Sequence, residues 1–282
     1  MTQQVMPNPS DAPLRRSPAA VHAAFLRQAA ASPDAMALSS RYGACSYAEL
    51  ERISRRLALA LQARGLKPGD RVAILSDRNP ALVYAMLGVL RAGAAFSIAD
   101  SAYPAARIAT TLEQVRPAIL LACGEVKVPA EVQRALQEAG PLTILRIPAV
   151  ASEACAAFAQ FGEEALEAAV DVEQTAYVSF TSGSTGRPKG IATSHAPLPH
   201  FVDWHVSHHG LDARDRFSAL SGLGHDPFLR DVFTPLSIGA ALCIPQQATI
   251  FDPVELIEWL QAQGITACHL TPAGSAPGFR RR

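Results

Sequence analysis

Hydrophobic side chains recur at helical spacing in several stretches of the chain, and short continuous apolar runs lie between those stretches. Residues 46–65 are typical of an amphipathic helix, with Ser46 as its N-cap and Gly65 at its end. The apolar side chains of this stretch recur every three or four positions, at Leu50, Ile53, Leu57 and Leu61. This spacing predicts one buried helix face.

Similar patterns predict a series of helices and strands along the rest of the chain. Helices are predicted over 80–93, 104–116, 152–170, 196–209, 227–237 and 252–264, with a further helical pattern before residue 142. Strands are predicted over 71–75, 94–98, 118–122, 142–147, 176–180, 216–220, 240–244 and 266–270. Helices that alternate with fully apolar strands indicate α/β architecture, with mostly parallel sheets covered by helices on both faces.

The composition favours a folded chain without an excess of either charge. Apolar residues make up 49% of the 282 residues and charged residues 18%, which is typical of a folded domain. Basic and acidic residues number 25 each, so neither a nucleic acid nor a membrane is an expected partner. Five scattered cysteines without a CxxC pair, and the absence of a secretory signal pattern in the sequence, predict a cytoplasmic protein. Residues 1–17 are polar and proline-bearing, and we expect a disordered leader there.

The stretch SFTSGSTGRPKG, residues 179–190, combines glycines, hydroxyl groups and two cations directly after a predicted strand. Backbone N–H groups in such a turn converge on an anion, and glycine lets the backbone approach it closely. A flexible surface loop is the alternative, although a linker would not need Pro188 to stiffen the turn between two cations. Lys189 is followed by Gly190 rather than by Ser or Thr, which excludes a Walker loop. The glycine spacing also disfavours dinucleotide binding.

The segment YVSFTSGSTGRPKGI closely resembles the phosphate-binding signature of the adenylate-forming enzymes. These include acyl-CoA synthetases, luciferases and, most similar here, the amino-acid adenylation domains of nonribosomal peptide synthetases. Two earlier segments, residues 45–75 and 86–108, agree in order and spacing, although Ile98-Ala99 replaces the usual Pro-Leu. The resemblance covers residues 18–273 and implies the large N-terminal subdomain of these enzymes, truncated, followed by a non-family tail at 274–282.

The resemblance implies a role in binding ATP and a set of phosphate contacts. In the family this loop closes over the β- and γ-phosphates, and the matching positions are Thr181, Ser182, Gly183, Ser184, Thr185, Gly186 and Lys189. The family's reaction joins a substrate carboxylate to the α-phosphorus of ATP bound with Mg2+, which gives an acyl-adenylate and pyrophosphate. A phosphopantetheine thiol, usually on a carrier domain, then takes the acyl group.

Residues 222–242 resemble the peptide-synthetase segment F-D-x-S-x-x-E, whose Asp binds the α-ammonium group of an amino acid. Asp226 occupies that position, and an N-cap role is the alternative for it. Pro227 and Arg230 match positions that line the side-chain pocket, where an arginine suits an acidic or hydroxyl-bearing substrate unless it lies on a solvated helix face. His225 replaces the usual Phe and suits an acyl-CoA or aryl-acid ligase instead, so the substrate class stays open at this point.

A cluster of histidines lies between the phosphate motif and this segment, at His200, His205, His208 and His209. His205 and His209 are four residues apart and share a helix face, as zinc ligands do. Neither an HExxH motif nor a nearby cysteine accompanies them, so no metal site is predicted.

The family's later motifs do not occur in these 282 residues. Among them are Y-G-P-T-E, whose Glu helps to hold magnesium, T-G-D, whose Asp binds the ribose, and the catalytic lysine of the C-terminal subdomain. We therefore expect weak nucleotide binding and little adenylation from the chain alone. A complementing C-terminal polypeptide would make it part of a split enzyme, whereas a frameshifted gene would make it a non-catalytic remnant.

Overall fold

A computed structural model describes residues 19–162, 170–182 and 188–270 of the protein. The helices are α1 (Ala23–Ala31), α2 (Tyr47–Gln62), α3 (Pro80–Arg91), α4 (Ala105–Val115), α5 (Ala130–Ala139), α6 (Ala151–Ala157), α7 (Pro197–His209), α8 (Asp226–Ile238), α9 (Gln247–Phe251) and α10 (Pro253–Ala262). The strands are β1 (Met36–Ser40), β2 (Gly43–Ser46), β3 (Arg71–Ser76), β4 (Ala95–Asp100), β5 (Ile119–Cys123), β6 (Thr143–Ile147), β7 (Thr175–Ser182), β8 (Pro188–Ser194), β9 (Arg216–Ser218) and β10 (Ala241–Cys243). The predicted leader at 1–17 and tail at 274–282 lie outside the described residues.

The larger sheet has six strands in the order β6-β5-β3-β4-β7-β8. Strands β6 through β7 run parallel, and β8 returns antiparallel to β7. Helices connect the parallel strands, as such crossovers require. This arrangement confirms the predicted α/β class.

The smaller sheet has four strands in the order β2-β1-β10-β9. Strand β1 pairs parallel with β10, which pairs parallel with β9, whereas β1 and β2 form an antiparallel pair. The predicted strand at 266–270 was wrong, because this segment pairs with β9 only through an isolated bridge between Phe217 and Ala267. A single bridge is not a continuous ladder of hydrogen bonds, and such a ladder is what defines a strand.

Helix α2 begins as its sequence predicts. The Ser46 side chain accepts a hydrogen bond from the Glu49 N–H at 3.2 Å, and the Glu49 carboxylate accepts one from the Ser46 N–H at 2.8 Å. This reciprocal pair is a capping box, which satisfies two backbone donors at the start of the helix.

Helix α3 is buried along its whole length, which explains its almost continuous apolar sequence. A Cβ atom added at Gly88 would lie 2.7 Å from Leu57 Cδ2, so the close packing of α2 against α3 requires glycine here. Arg91 is only 7% exposed, and it donates hydrogen bonds to the Glu51 carboxylate and the Ser54 hydroxyl, each at 2.8 Å. These contacts compensate for the burial of the charge.

Within the described parts of the chain, every helix is too short or too polar to cross a membrane.

Candidate functional site

The β7–β8 hairpin places a hydroxyl group and an ammonium group side by side at the end where the two strands are connected through residues 183–187. Its ladder pairs Thr181 with Lys189, and both side chains are exposed. The next pair in the ladder is Ser182 with Pro188. The other predicted phosphate contacts, Gly183, Ser184, Thr185 and Gly186, lie outside the described residues, so they remain predictions.

Two contacts hold this hairpin in position. A Cβ atom added at Gly190 would lie 3.2 Å from the Phe180 ring, so glycine lets that ring cover the neighbouring strand. The side-chain amide of Gln114, on α4, donates a hydrogen bond to the Pro188 carbonyl at 3.0 Å. The hairpin is therefore attached to the helix that follows β4.

A cleft of about 100 Å³ opens beside the hairpin end. Thr181 and Phe180 form one wall, and the end of β4 with the first turns of α4 forms another. His225, just before α8, closes the cleft opposite Thr181. Arg107 lies over the Tyr103 ring at 3.9 Å and adds a cation to the same cleft. Of the donors that a polyphosphate requires, the Thr181 hydroxyl and the Arg107 guanidinium line this cleft, and the Asp100 carboxylate lines it as well.

A second cavity, of about 360 Å³, contains the other predicted substrate residues. Asp226, Pro227 and Arg230 line it from α8, facing Phe201 of α7 and Tyr177 of β7. The Arg230 guanidinium lies 5.6 Å from the Phe201 ring centre. The Arg230 Nε is buried and has no hydrogen-bond partner among the described residues. The cavity wall therefore carries a guanidinium whose Nε is shielded from solvent.

The two spaces are neighbours rather than separate sites. A recess of about 10 Å³ between them shares His225 with the cleft, and shares Asp226 and Tyr177 with the larger cavity. The recess is about the size of one water molecule. The structure thus brings Thr181 and the predicted substrate residues onto one continuous groove.

Asp226 is not the N-cap of α8, which was the alternative role predicted for it. His225 is the N-cap, without a side-chain capping bond, and Asp226 is the first helical residue. Asp226 is exposed at the mouth of the cavity, and Arg230, one turn later, is half-buried. The Asp226 carboxylate is therefore free to meet a cation that enters from solvent.

Asp231 has a structural role that the sequence pattern does not reveal. It is completely buried, and its Oδ2 accepts hydrogen bonds from the backbone N–H groups of Leu220 at 3.1 Å and Ser221 at 2.9 Å. Arg78 donates to the carbonyls of Ser221, at 2.8 Å, and Ala219. Burial lowers the pKa of Arg78 to about 10, and the nearby Asp231 carboxylate opposes this shift. Asp231 and Arg78 together fix the segment that leads into α8.

Two histidines extend the hydrogen-bond network of Asp231. His269 Nδ1 lies 2.7 Å from Asp231 Oδ1, and His269 Nε2 lies 3.0 Å from His205 Nε2. A histidine inside the apolar stretch 266–270 was the only sequence signal for this contact. In the described part of the chain, no group of three or more His, Cys, Asp or Glu side chains is arranged to hold a metal ion. We therefore assign no residue here to Mg2+.

Known proteins share the sequence pattern of this chain. The sequence model for "AMP-binding enzyme" matches residues 25–275. The large subunit of L-2-aminoadipate reductase from Eremothecium gossypii is 33% identical over 96% of this chain, which spans 21% of that protein. Tyrocidine synthase 3 from Brevibacillus parabrevis is 32% identical over 90% of this chain, which spans 4% of it.

Solved structures show the same fold. The AMPPNP-bound form of the nonribosomal peptide synthetase FmoA3 superposes with a TM-score of 0.76 and 28% identity, covering 90% of this chain and 25% of that one. VinN in complex with L-aspartate superposes with a TM-score of 0.78 at 21% identity, covering 92% of this chain and 63% of that one. The latter likeness concerns the fold alone.

Proposed function

Because the chain belongs to the family of AMP-binding enzymes, we propose that it binds ATP and an amino acid with an acidic side chain for activation as an acyl-adenylate. The observation that carries this proposal is the pair of opposite charges in the 360 Å³ cavity. Asp226 lies exposed at its mouth, and Arg230 lies half-buried one helical turn further along, a rise of about 6 Å.

An acidic amino acid matches this arrangement at both ends. Its α-ammonium group pairs with the Asp226 carboxylate, and its side-chain carboxylate pairs with the Arg230 guanidinium, whose fork suits a carboxylate. The similarity to L-2-aminoadipate reductases supports 2-aminoadipate as the member of this class to test first.

The geometry also suggests how the phosphates are held. The α-carboxylate of the amino acid would attack the α-phosphorus of ATP from the side of the recess at His225. The bond from that phosphorus to the bridging oxygen would break, and pyrophosphate would leave with the electron pair. Thr181 and Lys189, which are paired in the hairpin, would donate to the leaving phosphates and so stabilise the charge that develops on them.

We assign the remaining steps to polypeptide outside this chain. The chain spans 21% of the aminoadipate reductase large subunit from Eremothecium gossypii. In the family it resembles, the ribose contacts, the magnesium ligand and the catalytic lysine belong to later motifs. Transfer of the acyl group to a phosphopantetheine thiol on a carrier domain would follow activation. Little adenylation is expected from the chain alone.

A ligase for acyl-CoA or aryl acids is the second candidate function. His225 lines the cleft together with Thr181 and also lines the recess that adjoins the Arg230 cavity, where an imidazole would approach the substrate carboxylate. The substrates of such a ligase have no α-ammonium group to pair with the Asp226 carboxylate. A substitution of Asp226 therefore discriminates between the two functions.

Asp226→Asn is expected to weaken the binding of L-2-aminoadipate by about 10- to 100-fold, because it removes a charge-assisted partner of the ammonium group. ATP binding should not change, since the phosphates lie at the hairpin end. Isothermal titration calorimetry at pH 8 measures both constants. Asp203→Asn, at an exposed position on α7, is the matched control. Unchanged L-2-aminoadipate binding in the Asp226 variant would favour the ligase for uncharged acids.

A further inference from the structure

A chain of three hydrogen-bonded side chains lies behind the substrate cavity. It runs from the buried Asp231 through His269 to His205, with contacts of 2.7 and 3.0 Å. These residues come from α8, from the segment after α10, and from α7. Neither histidine belongs to the phosphate site or to the predicted substrate residues.

The hydrogen bonds determine where the protons lie. Asp231 Oδ2 already accepts from two backbone N–H groups, and its Oδ1 accepts from Nδ1–H of His269. In a neutral imidazole the other nitrogen is then an acceptor, so His269 Nε2 accepts from Nε2–H of His205. Only one of the two facing nitrogens can carry a proton. The pair can therefore gain one proton more, on His205 Nδ1.

The same pair is close to the cation of the substrate cavity. The His205 ring stacks on the Phe201 ring, with centroids 5.4 Å apart and planes 16° apart. The Arg230 guanidinium lies over the same Phe201 ring at 5.6 Å. His205 and Arg230 are thus both in contact with Phe201, and a change of charge at one is felt at the other.

We propose that the His205–His269 pair takes up one proton when an acidic side chain binds at Arg230, so that selection of the acidic substrate is linked to proton uptake. This inference rests on the proposed function. The proton comes from solvent and joins the Nδ1 lone pair of His205, and no other bond is made or broken. In this role His205 is a positioning residue, since it acts on the substrate through the charge at Arg230.

The charges around His205 determine the direction of the effect. Groups that face it or its partner are Arg230 and Asp231 of α8, His208 and His209 of α7, and Cys268 and His269 of the segment after α10. Burial lowers the pKa of His205 to about 4, and the neighbouring His269, His209 and Arg230 also disfavour a positive charge on its ring. A carboxylate bound at Arg230 offsets the positive charge of that guanidinium and raises the pKa of His205. Acidic ligands therefore bind more tightly as the pH falls.

Calorimetric titration of the whole chain with L-2-aminoadipate between pH 8 and pH 5.5 tests the inference. Its Kd is expected to fall by about two- to fourfold over this range, mostly below pH 6.5, and never by more than tenfold per pH unit, because only one proton is taken up. L-Norleucine has the same six-carbon chain without the side-chain carboxylate, and its Kd should stay constant. This comparison also cancels any effect of pH on contacts that the two ligands make in common.

Variants identify the group that titrates. His205→Phe keeps the ring contact with Phe201 and should abolish the pH dependence, whereas His208→Gln, on the exposed part of the same helix, should retain it. Titration of the unaltered protein in two buffers of different ionisation enthalpy measures proton uptake directly and needs no variant to fold. A constant Kd for L-2-aminoadipate, or a pH dependence that survives His205→Phe, would overturn the inference and leave the proposed function standing. Failure of L-2-aminoadipate to bind at any pH would instead contradict the proposed function itself.

Discussion

Replacing Arg230 with glutamine is expected to weaken the binding of L-2-aminoadipate by about 30-fold or more, the effect of removing one partner of a desolvated charge pair. The guanidinium is half-buried, its Nε has no hydrogen-bond partner among the described residues, and Phe201 covers one face of it. A carboxylate that enters the cavity therefore meets a donor that is already oriented and partly desolvated. Glutamine keeps two donor hydrogens but neither the charge nor the fork.

The comparison ligand and a control variant make this result specific. L-Norleucine should bind the Arg230→Gln protein as well as it binds the original, since it has no carboxylate to lose a partner. Arg214→Gln changes an arginine whose side chain is 91% exposed, and it should alter neither constant by more than about twofold. Calorimetry at pH 8 measures the dissociation constants of both ligands for the original protein and for the two variants. Equal losses for both ligands would mean that Arg230 supports the fold rather than selecting the substrate.

The second large effect is a loss of stability in acid. His22 and His195 are 8% and 0% exposed, and burial lowers their pKa values to about 3 and about 4. The Val21 N–H donates to His195 Nδ1 at 3.2 Å, which requires the neutral ring. His22 Nδ1 and His195 Nε2 are buried without a partner in the described part of the chain, so no acceptor there would stabilise a charged form.

The sign follows from the lowered pKa values. Each group is a base whose pKa is lower in the folded than in the unfolded chain, so its contribution to stability is complete above pH 6.5 and is lost as the pH falls towards 4. Between pH 7.5 and pH 5, each should reduce the free energy of unfolding by about 2 kcal/mol. The pKa of His205 is also lowered, but this side chain is half-buried and contributes less.

Urea unfolding at pH 7.5 and at pH 5 measures this loss, with about 4 kcal/mol expected for the two histidines together. His195→Gln retains an acceptor for the Val21 N–H and should halve the difference between the two pH values. His208→Gln, at an exposed histidine, is the control and should leave the difference unchanged. If the His195→Gln variant lost as much free energy of unfolding between pH 7.5 and pH 5 as the original protein, His195 would not be one of the groups responsible.

Local patterns predicted those elements whose signals lie within a few residues. The Ser46–Glu49 capping box is a contact over three residues, and the uniformly apolar α3 is recognisable because all its faces are buried. Strand β8 has no such signal, because most of its residues are exposed and its place is determined by pairing with β7. The segment 266–270 shows the reverse case. Its apolar sequence is typical of a strand, but the segment pairs with β9 only through one isolated bridge.

In the candidate site, too, contacts within one helix could be predicted from the sequence, whereas contacts between distant residues could not. Asp226 and Arg230 are one helical turn apart, so their common face follows from the predicted helix, and the resemblance adds their roles. The contact between Asp231 and His269 spans 38 residues, and that between His269 and His205 spans 64. No periodic pattern links positions so far apart, so these contacts emerge only when α7, α8 and the segment after α10 pack together.

One measurement tests most directly whether the hairpin end and the charged cavity form a single site. A sulfamoyl adenosine that carries L-2-aminoadipate is a stable mimic of the acyl-adenylate and should occupy both parts of the groove. We predict that it binds more tightly than either AMP or L-2-aminoadipate, and by about 30-fold or more over its L-norleucyl counterpart. Affinity no better than that of its tighter-binding half, or equal affinity for the two aminoacyl compounds, would contradict this account.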